Sequence, residues 1–126
     1  MSTTTHDDVT LYYETFGSDA DPALLLVNGL GSQCINYKPE LCEKFVARGL
    51  RVVRFDNRDV GLSSHLGNGA RYTVDDMAGD GFAVLDAVGA ETAHIAGWSM
   101  GGMIVQAMAL ANPERVLSLT SVMSAP

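Results

Sequence analysis

Gly97-Trp98-Ser99-Met100-Gly101 is a G-x-S-x-G pentapeptide set between two different patterns, and this junction constrains the chain more than any other feature. Before it, Thr92-Ala93-His94-Ile95-Ala96 reads as a short buried strand. After it, the apolar stretch Gly102 to Leu110 reads as a helix. A serine at a sharp strand-to-helix turn is held clear of the sheet, with its hydroxyl presented outward. The flanking glycines permit the tight turn and a close approach of the helix to its neighbours.

The rest of the chain repeats the strand–helix alternation. Val9 to Phe16 is β-rich and is expected to pair as a hairpin with the segment before it. Ala23-Leu24-Leu25-Leu26-Val27 is apolar without a break, as in a central parallel strand covered on both faces. A helix is expected from about Tyr37 to Arg48, with Pro39 in its first turn and Gly49 ending it. Leu41, Phe45 and Val46 are placed to face the sheet. Leu50 to Phe55 is the next strand. Thr73-Val74-Asp75-Asp76 resembles a capping box opening a helix that Gly89 stops. Val116 to Met123 reads as the last strand. This order predicts an α/β fold: a mostly parallel sheet flanked by helices, with an N-terminal β-hairpin, in one domain spanning residues 1–126.

Charge and cysteine content narrow the classes of partner. The net charge of -7 argues against nucleic acid and against an anionic membrane, which both select for Lys and Arg. No apolar run approaches membrane-spanning length, and the N-terminus lacks the pattern of a signal peptide. Cys34 and Cys42 lie about 12 Å apart on helical spacing, too far for a disulfide. Free thiols suit a reducing compartment, so the expected location is the cytoplasm. Neither cysteine has a second ligand at metal spacing, and no metal site is expected.

Two loops join the pentapeptide as candidate site elements. Asn28-Gly29-Leu30-Gly31 follows the buried strand at the place where an oxyanion hole would be built, with the backbone N–H groups of Leu30 and Met100 as donors. Asp56-x-Arg58-x-x-Gly61-x-Ser63 follows the next strand, where Asp56 and Arg58 would brace the loops around the serine. His65 lies beyond it and reads either as a weak base bordering the site or, more commonly for such a position, as a solvated loop histidine. His94 sits roughly 15 Å from Ser99 along an extended strand and reads as structural. His6 reads as exposed. Trp98 is either a pocket wall or a core aromatic, and Met100, Met103 and Met108 read as helix packing.

These residues resemble the α/β-hydrolase fold family, and within it the aclacinomycin methylesterase-like branch. The resemblance rests on Asp21 to Val27, on Arg54-Phe55-Asp56-Asn57-Arg58-Asp59-Val60-Gly61-Leu62-Ser63, and on Ala93 to Gly102. It implies Ser99 as nucleophile, Leu30 and Met100 as oxyanion donors, and Asn28 and Gly29 as loop support. Asn28 stands where many members carry His, and can organise the loop through its own hydrogen bonds. The implied reaction is hydrolysis of a small-molecule carboxylic ester through an acyl-serine, without a cofactor; the elbow alone does not separate an esterase from a lipase, a lactonase, an amidase or a cofactor-free haloperoxidase.

Members of that family continue into a lid, two more strands, the catalytic acid and the catalytic His, so the resemblance implies a truncated domain. After Ser99 this sequence has no His and no Asp, and its one acid is Glu114. The competing expectation is therefore a non-catalytic fragment or assembly subunit. In either case residues 116–123 are expected to form an apolar edge that invites a homo-dimer or a complementary chain.

Overall fold

The computed structural model describes residues Ser2 to Pro126. Six strands form one sheet: β1 (Ser2–His6), β2 (Val9–Phe16), β3 (Ala23–Val27), β4 (Arg51–Phe55), β5 (Ala93–Trp98) and β6 (Val116–Val122). Their spatial order is β1-β2-β4-β3-β5-β6. The hairpin β1–β2 joins β4 antiparallel, and β4, β3, β5 and β6 run parallel. Three helices link the parallel strands: α1 (Pro39–Val46), α2 (Val74–Ala87) and α3 (Met100–Ala111).

The strand period of two decides which helix covers which side chain. Ala23, Leu25 and Val27 point to one face, where Val53, Phe55 and Ile95 join them against Val84 and Leu85 of α2 and Ile104, Val105 and Met108 of α3. Leu24 and Leu26 point to the other face and pack with Val52, Ala96 and Cys42 of α1. All five residues of β3 are buried, as its unbroken apolar run requires. Burying each such Leu, Ile or Val contributes about 1.5–3 kcal/mol.

The helix ends follow local chemistry. Thr73 accepts from the Asp76 amide and Asp76 accepts from the Thr73 amide, so the capping box that opens α2 is complete. At the end of α1 the Leu50 amide donates to the Phe45 carbonyl and the Gly49 amide to that of Val46, a Schellman closure.

Helix α1 departs from the sequence expectation in two respects. It begins at Pro39, because Cys34–Asn36 forms a separate 3₁₀ turn and the Tyr37 hydroxyl is drawn inward to the Val27 carbonyl at 2.9 Å. Its inward face is Cys42 with Phe45 and Val46, while Leu41 is 37% exposed. The free thiol is the small apolar residue that fits against the sheet.

The chain order also creates a crevice. From β3 the chain crosses by α1 to β4. It then returns by α2, passes β3, and places β5 on the other side of it. The loops leaving β3 and β5 therefore diverge to opposite faces at the carboxyl ends of two adjacent strands. Open α/β sheets bind ligands at such a switch point.

Candidate active site

Ser99 stands in that crevice, directly after β5. Its backbone has φ 54° and ψ -119°, a conformation that a non-glycine residue adopts only under local constraint. Three contacts hold it there. The Ser99 amide donates to the Val122 carbonyl of β6 at 2.9 Å, and the Ser99 carbonyl accepts from the Gly102 amide at 2.9 Å. The third is steric. A Cβ built at Gly97 would fall on the Gly101 carbonyl, and one built at Gly101 would fall on the Val27 carbonyl. Both flanking glycines are thus required by the close passage of β5, α3 and β3.

A serine preceding a helix ordinarily caps it by accepting from an amide of the first turn. Ser99 does not, and its residue is exposed. Its hydroxyl is left for an external partner. Met100 is the first residue of α3, so its amide has no carbonyl one turn back. The Leu30 backbone makes no hydrogen bond among the described residues, and Leu30 is 84% exposed. Gly29 brings that loop against the elbow, with its hypothetical Cβ 3.1 Å from the Trp98 carbonyl oxygen and 3.3 Å from Ser99 Cβ. Ser99, Leu30 and Met100 border one open cleft of about 450 Å³, together with Met103 and Met123.

Buried side chains tie the surrounding loops together. Asn28 donates from Nδ2 to the Phe55 carbonyl at 3.3 Å, accepts at Oδ1 from the Ser32 hydroxyl, and its backbone carbonyl accepts from the side-chain Nδ2 of Asn57 at 3.0 Å. The Asp56 carboxylate accepts the Cys34 amide at 2.7 Å and the Leu62 amide at 2.9 Å. Burial, with Asp56 as the second influence, pushes the Cys34 thiol up to about 12, so it is not a reactive thiolate. Arg58 pairs with Asp80 of α2.

The histidines lie elsewhere. His65 donates through Nε2 to the Gly61 carbonyl at 2.9 Å and does not line the Ser99 cleft. His94 bonds to Ser118 at 2.7 Å, on the strand pair β5–β6. His6, expected to be exposed, instead bonds through Nδ1 to buried Asp80 at 2.8 Å, because the hairpin lays β1 beside α2. Trp98 packs on Tyr37 with ring centroids 5.3 Å apart, in the α1-side core. Met108 is core, but Met100 and Met103 reach the cleft, so two of the three methionines are not simply packing. The cleft has no His, Asp or Glu in its wall. Among the described residues no group of three His, Cys, Asp or Glu could hold a metal, and no helix is long and apolar enough to cross a membrane.

The family model for the alpha/beta hydrolase fold matches residues 22–126. The chain belongs to the α/β-hydrolase fold family. It is 42% identical over 117 residues to rhodomycin D methylesterase DnrP of Streptomyces peucetius, covering 92% of this chain and 39% of that protein. That similarity supports the methylesterase branch. The backbone matches a bacterial membrane phospholipase A with TM-score 0.88 and 31% identity, over 98% of this chain and 39% of that one. It also matches a hydrolase from Pseudomonas aeruginosa PA01 with TM-score 0.87 and 31% identity, over 98% and 46%. The chain thus spans about two-fifths of the length of the curated relatives it matches.

Proposed function

We propose that this domain is the nucleophile-bearing part of a serine hydrolase acting on small-molecule carboxylic esters. The carrying observation is Ser99 itself: an exposed serine at positive φ that does not cap the helix it precedes. Ser99 Oγ attacks the ester carbonyl carbon, and its proton passes to a base. The negative charge formed on the carbonyl oxygen is met by the amides of Leu30 and Met100 and by the positive end of α3. Expulsion of the alkoxide, protonated as it leaves, gives an acyl-serine, which water hydrolyses. Asn28, Gly29, Asp56 and Arg58 hold the loops that aim these donors.

The wall of the Ser99 cleft supports a second reading, a non-catalytic subunit or fragment. A serine hydroxyl without a base is a poor nucleophile. Under the hydrolase reading the base is either His65 in an arrangement other than its present bond to the Gly61 carbonyl, or a residue outside these 126 residues. We place the domain in the cytoplasm, with the outer edge of β6 as its site of pairing with a second copy or a complementary chain.

Labelling with a fluorophosphonate probe, read by intact mass, separates the two readings. Stoichiometric labelling that Ser99→Ala abolishes is the expected result for the hydrolase. A folded protein that takes no label would overturn activation of Ser99 in this chain and leave the non-catalytic reading.

A further inference from the structure

Leu30 and Met100 border a second cavity, of about 190 Å³, and Ser99 is not in its wall. Its apolar side is Leu30, Val60, Met77 and Met100. Its polar end is Arg58, Asp59 and Tyr72. Arg58 is only 6% exposed. Asp80 takes two of its nitrogens, Nε at 2.7 Å and Nη2 at 2.8 Å, and the guanidinium lies over the Tyr72 ring at 5.0 Å from the centroid. Nη1 makes no hydrogen bond among the described residues. It is not sealed either: among those residues Arg51 Nε is the one fully buried side-chain nitrogen or oxygen without a partner. An almost wholly buried arginine in the cavity wall thus keeps one donor that no group among the described residues takes.

The charges at that end select the partner. Asp80 neutralises Arg58 through two bonds. The Asp59 carboxylate lies in the same wall, held by the Leu66 amide at 2.6 Å and the Tyr72 hydroxyl at 2.7 Å. An incoming anion would meet the Asp59 carboxylate in the wall and an arginine already neutralised by Asp80. A neutral carbonyl or ether oxygen would meet an N–H that no protein group among the described residues takes and would displace no protein partner. The volume sets the size: a cavity of about 150 Å³ holds benzene, so this one takes roughly six to eight non-hydrogen atoms.

We infer that this cavity is a subsite for a small, uncharged, oxygen-bearing part of the ester substrate, whose oxygen accepts from Arg58 Nη1. The role rests on the reading of Ser99 as nucleophile, because Leu30 and Met100 then form the partition between the reacting carbonyl and the cavity.

The test is an NMR titration of the ¹⁵N-labelled Ser99→Ala chain with methyl butanoate, and with butanoate as the anionic match. The expected result is saturable shifts at Val60, Tyr72 and Met77, with butanoate at least tenfold weaker. Met77→Phe, whose ring is rigid and slightly larger than the thioether it replaces, narrows the cavity and weakens binding in a protein that keeps its spectral dispersion. Should Met77→Phe not fold, Val60→Ile narrows the same space and weakens binding. No shift at these residues, or equal binding of butanoate, overturns the subsite. Fluorophosphonate labelling of the unmutated chain separates the two ideas. Labelling without cavity shifts sinks the subsite alone. Cavity shifts without labelling sink the nucleophile and the substrate role with it.

Discussion

Arg58 and Asp80 form a two-pronged ion pair, Nε to Oδ2 at 2.7 Å and Nη2 to Oδ1 at 2.8 Å, with Asp80 only 1% exposed. It clamps the loop after β4 to α2. Replacing Asp80 by Asn leaves the guanidinium buried without its counter-charge, a change that costs about 3–5 kcal/mol. The double variant Arg58→Met with Asp80→Leu removes both charges and is expected to be more stable than Asp80→Asn alone. Urea denaturation midpoints of the three proteins check the order.

The pentapeptide glycines give a second prediction. A Cβ at Gly97 lands on backbone, the Gly101 carbonyl, which has no rotamer to escape into. Gly97→Ala is expected to cost about 3 kcal/mol or more. Gly67 has φ +82° and nothing within 4 Å of a built Cβ. Gly67→Ala meets only the left-handed backbone penalty of about 1–2 kcal/mol. Equal thermal shifts for the two would overturn the steric account.

Much of this was legible because the governing interactions are local or periodic. The run Ala23 to Val27 fits a strand covered on both faces better than an edge strand, and it is β3 residue for residue. Thr73 and Asp76 cap each other across three residues, a spacing visible in the sequence. The start of α1 was not legible, because Tyr37 leaves the helix for a carbonyl ten residues away. His6 and Asp80 are separated by 74 positions, and only the hairpin brings them together. Arg58 was placed in the right loop from its motif, but its partner on α2 carries no mark in the sequence.

Acid should loosen the loop that carries Arg58. The Leu66 amide, and after it the Tyr72 hydroxyl, hold the Asp59 carboxyl below its ordinary value. The folded state then binds fewer protons than the unfolded state near pH 3–4, by the ordinary aspartate pKa of about 3.9. The contribution is complete above that value and is lost as pH falls through the lower folded value. Asp59→Asn is expected to flatten that part of the acid limb and leave the neutral plateau slope unchanged. Thermal midpoints from pH 2 to pH 7 for both proteins read this directly. Parallel acid limbs would count against the assignment.

The outer side of β6 supplies the last prediction. It is the terminal strand of the sheet, paired to β5 alone, and seven residues long. Leu117 and Leu119 are 52% and 38% exposed on it, and Met123 follows. The opposite edge, β1, is written Ser2-Thr3-Thr4-Thr5-His6 and offers no apolar side chain to a partner. A strand with one unpaired edge and exposed leucines recruits another strand, while lysine on an edge discourages it. Sedimentation velocity is expected to show association that rises with concentration, and Leu117→Lys with Leu119→Lys is expected to return the chain to monomer. Matching changes at β1, Thr3→Lys with Thr5→Lys, should leave association intact. A monomer at high concentration in the unmutated chain would remove the homo-dimer.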